Sequence, residues 1–472
     1  MLRMIKLFST ITFLFLFQFT YAQDISGNWQ GNLETPMGEV PIILKITQTD
    51  EDIFETLLVS PKQSSTEFPA DTTFFRNDSL LVELEALEIS YKGMLTTEGI
   101  KGEFKQATMT LPLQLKKGTA ELSENKRLNR PQDPKPPYPY KVEEVNFLNM
   151  EADTIKLSGT LTLPNGIEKP PVVVLISGSG PQDRNEELLN HRPFLIIADY
   201  LSRNGIAVLR YDDRGVGQSE GTFKGATTLD FASDAAAAVT YLKTRSDVAK
   251  DKIGLAGHSE GGLIAPIVAS IDNTIQFLIV LAGPGVNGKE VLISQINKAA
   301  ELSKTPDSFI KMNTKFMNII LSEIYNQENP ETMITTSIKK TKEYHNTLPD
   351  SVKTTIPFEQ LEKQIKSFTN DPWMRNYIKT EPADFLAKVK VPVLVLQGGK
   401  DFQVVPEINL PAIEKVLKKT AQNKDVTIHT FENLNHLFQK AETGAASEYA
   451  KIEETFNPEA LNLMTTWILK RF

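Results

Sequence analysis

Residues 255–264 read Leu-Ala-Gly-His-Ser-Glu-Gly-Gly-Leu-Ile, and this stretch constrains the fold more than any other. A Gly-X-Ser-X-Gly core stands between a β-like apolar run, Ile253 to Ala256, and a helix-like run, Leu263 to Ala269. Strand, glycine-flanked serine and helix in that order make a sharp turn that pushes one hydroxyl out at the end of a sheet. The turn strains the serine backbone, and side chains two positions before or after it collide with the chain. A pentapeptide of this kind also recurs by chance. The reading therefore depends on a base, an acid and oxyanion donors elsewhere in the sequence.

The surroundings of this turn alternate. Val142 to Leu148 and Lys156 to Leu163 have strand character, and Val172 to Ile176 is a continuous apolar run suited to the buried centre of a parallel sheet. Ile206 to Tyr211, Phe277 to Ala282, Val391 to Gln397 and Val426 to Phe431 are further strands. Helices are expected over Phe194 to Arg203, Thr228 to Thr244 and from Asn457-Pro458-Glu459 to about Lys470, where Pro occupies the first turn. Such alternation implies an α/β fold, a mostly parallel sheet with helices on both faces, spanning 141–472. One segment, 287–385, breaks the pattern with helical stretches such as Phe309 to Tyr325 and Glu331 to His345. An insertion between strands of such a sheet sits above their carboxyl edge, and it is read as a helical cap that walls the site. A peripheral helical pack is the alternative.

The first part of the chain differs. Residues 23–120 carry short alternating runs (Ile42 to Ile46, Phe54 to Val59, Leu80 to Leu84, Met109 to Leu115) punctuated by Gly, Asn, Asp and Pro, which predicts a small all-β domain. Its opening Gly27-Asn28-Trp29 is similar to the start of lipocalin-like barrels, but the preferred reading is a tryptophan plugging one end of a small β-core rather than a ligand-binding calyx. Residues 121–140 form a connector with five prolines between Arg127 and Tyr140, which favours an extended, semi-rigid link docked on a neighbour through its tyrosines.

Residues 1–22 have the order of a secretory signal: Arg3 and Lys6, an apolar stretch from Leu7 to Phe19, then Thr20-Tyr21-Ala22 before Gln23. The stretch is short and interrupted by Ser9, Thr10, Thr12 and Gln18, so a stable membrane anchor is not expected. The expected location is periplasmic or secreted. There is no cysteine, which excludes disulfides, a thiol nucleophile and lipidation at a mature N-terminal cysteine. The net charge of −8 carries no basic footprint for nucleic acid. No metal-ligand spacing, phosphate loop or dinucleotide fingerprint occurs, so neither a cofactor nor a metal is expected.

A serine hydroxyl becomes a nucleophile when an imidazole takes its proton, and the imidazole needs a carboxylate to fix its tautomer. In this kind of turn the order is serine, acid, histidine. Of five histidines, His191 and His258 precede or abut Ser259, and His345 lies in the insertion. His429 falls inside a strand, where its side chain packs on a sheet face. His436 follows that strand in a loop, where catalytic side chains are carried, and is taken as the base. Asp401 follows the strand Val393 to Gln397 and a glycine turn, so it is the acid; a turn-capping role is its alternative. Asp384 and Asp425 lack that placement. The oxyanion donors are the N–H of Glu260 and that of Ser179 or Gly180, in the loop Ser177 to Asn185. The Glu260 side chain is expected to turn away. Asp212-Asp213-Arg214 braces loops, with Arg184 or Arg214 as an alternative anion site.

With these residues in view, the chain from about Lys141 resembles the α/β-hydrolase superfamily, and within it bacterial two-domain carboxylesterases of the EstD type. Gly178 to Asn185, Arg210 to Gly215, Gly257 to Gly262 and Gly398 to Asp401 carry the resemblance together. It implies hydrolysis of carboxylic esters, typically short-acyl, by Ser259, Asp401 and His436. The partner implied is a small-molecule or carbohydrate-linked ester. Serine aminopeptidases share the general plan, and a catalytically silent ligand-binding protein is the rival of another class.

Overall fold

In the computed structural model the described residues are 25–35, 38–50, 53–61, 67–84, 87, 89–106, 109–118 and 130–472. The signal read over 1–22 lies outside them, as does the start of the connector. Among the described residues no helix is long and apolar enough to cross a membrane.

The first part is one antiparallel sheet of nine strands: β1 (Gly27–Thr35), β2 (Gly38–Asp50), β3 (Ile53–Val59), β4 (Phe68–Pro69), β5 (Thr72–Arg76), β6 (Ser79–Leu84), β7 (Ile89–Thr96), β8 (Gly99–Gln106) and β9 (Met109–Gly118). Their order is β4-β3-β2-β1-β9-β8-β7-β6-β5, and Phe54 of β3 meets Phe75 of β5 edge to face, so the sheet curls on itself. Burial alternates, as in β6, where Leu80, Val82 and Leu84 point inward. Trp29 is part of this core and donates its indole N–H to the Ile25 carbonyl at 2.7 Å, a packing role.

The connector from Arg130 lies on the second part of the chain. Arg130 donates to the carbonyls of Asn190, Leu189 and Ile452, while the Gln132 side chain accepts the N–H groups of Thr455 and Phe456 and donates to the Phe456 carbonyl. Tyr140 donates to Asp199 at 2.7 Å and stacks on Tyr138. The tyrosines do dock, but the arginine and the glutamine make more bonds.

The second sheet has eight strands: β10 (Tyr140–Asn149), β11 (Ile155–Pro164), β12 (Val172–Ile176), β13 (Ala207–Tyr211), β14 (Ile253–His258), β15 (Phe277–Leu281), β16 (Val393–Gly398) and β17 (Val426–Phe431). They run β10-β11-β13-β12-β14-β15-β16-β17, antiparallel through β13 and parallel from there on. Residues in the central strands alternate between two cores. Val172, Val174, Leu278 and Val280 face one side; Val173, Leu175, Phe277 and Ile279 face the other. Burial on both faces is why these strands are unbroken apolar runs, each such side chain contributing about 1.5–3 kcal/mol.

Helices α1 (Pro193–Arg203), α2 (Thr228–Thr244) and α3 (Gly261–Ile271) cover the first half of this sheet. The α2 start is a capping box between Thr227 and Asp230. Between β15 and β16 lie α4 (Gly288–Leu302), α5 (Asp307–Asn326), α6 (Pro330–Asn346), α7 (Asp350–Thr355), α8 (Phe358–Asn370), α9 (Pro372–Lys379) and α10 (Pro382–Leu386). This insertion has small cores of its own, and Tyr377 and Leu386 join it to the main one. After β16 come α11 (Pro406–Glu414), α12 (Ala446–Tyr449) and α13 (Pro458–Leu469).

His191 is one of the buried polar groups beneath the connector. Its Nε2 lies 2.9 Å from the Tyr449 carbonyl and its Nδ1 3.0 Å from the Thr455 hydroxyl, which suits a neutral ring. Burial pushes its pKa down from 6.5 to about 4. The unfolded chain therefore binds a proton that the folded chain refuses, and stability present above pH 6.5 is lost as pH falls toward about 4. The expected loss from this group is on the order of 3 kcal/mol. Urea unfolding at the two pH values, with His191→Gln beside the wild type, checks it: the stability lost between them should be smaller in the variant by that amount.

Candidate active site

Ser259 stands between β14 and α3 with φ at +52°, in the left-handed region that a side chain disfavours. Its N–H donates to the Leu281 carbonyl of β15 at 2.9 Å, which holds the strained residue in place. The flanking glycines are sterically required. A Cβ on Gly257 would lie 1.9 Å from the Gly261 carbonyl oxygen, and one on Gly261 would lie 2.2 Å from that of Ile176. Ser259 is half-buried.

Asp401 and His436 follow β16 and β17, and both are nearly inaccessible. Asp401 Oδ1 accepts the N–H groups of Gln403 and Val404 at 2.8 and 3.0 Å, and Oδ2 accepts the Gln397 amide at 2.8 Å. With its lone pairs so oriented, Oδ2 also lies 2.8 Å from His436 Nδ1. A carboxylate there accepts the Nδ1 proton and leaves Nε2 as the basic nitrogen. His258, the neighbour of Ser259, ties His436 to the elbow: its Nε2 lies 3.0 Å from the His436 carbonyl oxygen. Ser259, Asp401 and His436 thus gather at the carboxyl ends of three parallel strands.

The loop after β12 presses on the same place, since a Cβ on Gly178 would lie 3.0 Å from that of Ser259. Gly178 gives its own N–H to Glu186 Oε1 at 2.7 Å. Glu260, Ser179 and Gly180 donate theirs to no acceptor among the described residues, which suits them to receive a developing oxyanion.

The remaining sequence candidates have other employment. His345 bonds the Ile356 carbonyl inside the insertion. His429 differs from expectation: β17 is an edge strand, so its ring is exposed and leans on Phe431 instead of packing under a helix. Arg184 forms a two-pronged pair with Asp212, and Arg214 with Asp234, so both guanidinium charges are already met by carboxylates in the loops they brace. Asp425 pairs with Arg471 at the protein's end.

Three side chains at the site are additions that sequence reasoning missed. Glu186 comes from the charged run after the glycine loop, a faint signal. The Glu260 side chain, expected to turn away, is 2% exposed and points inward. It accepts the Thr228 hydroxyl at 2.7 Å and the Trp373 indole N–H at 2.9 Å, and the Ser179 hydroxyl faces it too. Burial raises its pKa, against these donors. Trp373 opens α9 and lies 113 residues away in sequence, within no motif. Trp373→Phe keeps an aromatic ring, smaller than the indole, and removes the donor to a buried acceptor. Its unfolding free energy in urea should fall by about 1–3 kcal/mol.

The family described as serine aminopeptidase, S33, matches residues 192–442, which hold Ser259, Asp401 and His436. The chain is 25% identical over 330 residues to esterase EstD of Thermotoga maritima, covering 70% of this chain and 69% of that one. Solved structures similar to it include the Pyrococcus furiosus esterase Pf2001, 18% identical with a TM-score of 0.42, covering 73% of this chain and 98% of that one. Another is Est1E from Butyrivibrio proteoclasticus, 19% identical with a TM-score of 0.39, covering 70% and 99%. The chain belongs to the serine aminopeptidase S33 family of α/β-hydrolases.

Proposed function

We propose that this protein is an exported serine carboxylesterase that opens short-acyl carboxylic esters through an acyl-enzyme on Ser259. The observation that carries it is the 2.8 Å bond from His436 to a fully hydrogen-bonded Asp401, beside a serine held in a strained turn. Ser259 Oγ attacks the ester carbonyl carbon while His436 Nε2 takes its proton, and Asp401 holds the Nδ1–H. The oxyanion receives the N–H groups of Glu260 and of Ser179 or Gly180. The C–O bond then breaks as His436 returns the proton to the leaving alcohol. Water, deprotonated by His436, attacks the acyl carbon; the bond from that carbon to Ser259 Oγ breaks, His436 returns the proton to Oγ, and the carboxylic acid product leaves and ionises in water.

In this reading the segment 1–22 exports the chain, 121–140 joins a β-domain over 23–120 to the catalytic body over 141–472, and the helices of 287–385 wall the substrate. The likeness to esterase EstD supports esters over peptides. The family description supports the second reading, an aminopeptidase. Against it, the acid next to the serine in sequence, Glu260, spends its carboxylate on Thr228 and Trp373 and has little left for a substrate ammonium.

A fluorophosphonate probe should label the wild type and spare Ser259→Ala. Equal labelling of both, or of neither, would refute the serine mechanism. Parallel assay on p-nitrophenyl esters and aminoacyl nitroanilides separates the two readings, with faster amide turnover overturning the esterase.

A further inference from the structure

Two imidazoles lie side by side at the site, with ring centroids 4.8 Å apart, and the proposed reaction uses only His436. The other, His258, is 6% exposed. Its Nδ1 is 2.9 Å from Glu186 Oε1 and its Nε2 is 3.0 Å from the His436 carbonyl oxygen. A carbonyl oxygen accepts and never donates, and so does an ionised carboxylate. Meeting both requires a proton on each ring nitrogen. A neutral ring beside an ionised Glu186 would set a nitrogen lone pair against an oxygen lone pair in the interior.

The charged groups around the ring are few. Glu186 faces it from the oxyanion loop, His436 from the loop after β17, and Asp401 stands behind His436. The rest of the surround is apolar: Phe194, Ile197, Leu281, Leu437 and Phe438. Burial there opposes a charge on the ring. The Glu186 carboxylate and the His436 carbonyl outweigh it, and the His258 pKa stands above its ordinary 6.5. Glu186 is itself shared, because the oxygen that meets the ring also takes the Gly178 N–H at 2.7 Å.

Accordingly we infer that His258, held as an imidazolium by Glu186, is a positioning residue: one buried ion pair keeps the oxyanion loop at Gly178, the elbow and the backbone of His436 in register. The inference rests on His436 being the base, since its backbone is what the clip holds. Neither His258 nor Glu186 touches substrate in this arrangement. Breaking the pair should therefore lower kcat and leave KM nearly unchanged. As pH rises through the raised pKa the ring sheds one proton, one acceptor loses its donor, and kcat should fall on the alkaline side.

Nitrogen-15 spectra of the five histidine rings in the full wild-type chain test the charge state directly, with the His258 signals assigned by their loss in His258→Gln. At about pH 7.5 an ordinary histidine is mostly neutral. His258 should still carry a proton on both nitrogens, and a single-proton ring would overturn the inference. Kinetics supply the second arm. Glu186→Gln preserves an acceptor for Gly178 and removes the charge. It should lower kcat by about ten- to a hundredfold with KM little changed. Its alkaline limb should move toward acid by about one pH unit. A Glu186→Gln enzyme with the wild-type kcat profile would equally overturn it. If Ser259→Ala keeps its activity, the esterase reading itself fails; if Ser259→Ala is inert and His258 is neutral, the ion pair alone is wrong.

Discussion

Ser259→Ala is expected to lower kcat on a p-nitrophenyl ester by about a millionfold, because the remaining groups then have no nucleophile to serve. His436→Ala should do about the same, and the double variant should be no worse than either. That lack of additivity distinguishes one cooperating set from three independent helpers. Asp401→Asn should cost less, about ten-thousandfold, since it disturbs the imidazole tautomer and leaves serine and base in place. The Asp401 loop makes this a clean comparison: Gln403 and Val404 hold Oδ1 through their backbone N–H groups, so an amide oxygen there keeps the turn. The check is single-turnover kinetics with active-site titration, which removes contaminating wild type from the residual rate. Activity above about one per cent in Ser259→Ala would place the nucleophile elsewhere.

The second large effect concerns folding. Gly257→Ala is expected to destabilise the chain by more than about 4 kcal/mol, in the range reached only by a clash that nothing can relieve. The added Cβ meets a backbone oxygen at 1.9 Å, and no rotamer change moves that atom. Either β14 or the first turn of α3 has to shift, and both are pinned, β14 by pairing with β12 and β15. Gly166→Ala is the control. Its φ is +79° but nothing lies near its Cβ, so only backbone strain is added, about 1–2 kcal/mol. Urea midpoints of the two variants separate steric clash from left-handed strain. Similar midpoints would mean that the elbow yields.

These outcomes bear on what a reader of the sequence alone sees. The strands beside Ser259 were legible because burial on both faces makes them unbroken apolar runs, such as Val172 to Ile176. Their loops were legible for a related reason, since a polar residue just past such a run sits at the sheet edge. The antiparallel strands β7 and β8 escaped notice. Each has one buried face, but Gly93 and Gly102 take inward positions and leave gaps in the alternating apolar pattern. In the site, position in the chain pointed to Ser259, Asp401 and His436; the structure pairs Asp401 with His436 and places all three just past the carboxyl ends of parallel strands. Glu186 and Trp373 escaped because their partners are 72 and 113 residues away and no periodicity encodes such a meeting. His258 was set aside as a base because it abuts Ser259, and what it supports became visible only with both ring nitrogens accounted for.

The bond between Trp373 and Glu260 limits how this chain can be recombined. The indole belongs to the helical insertion, and the carboxylate belongs to the residue after Ser259. A chimaera that replaced residues 287–385 with a foreign helical segment would leave an inward-facing acid one donor short, next to the proposed oxyanion site. The insertion is therefore not a detachable module. A new one has to bring its own donor to the place of Trp373, or residue 260 has to change with it.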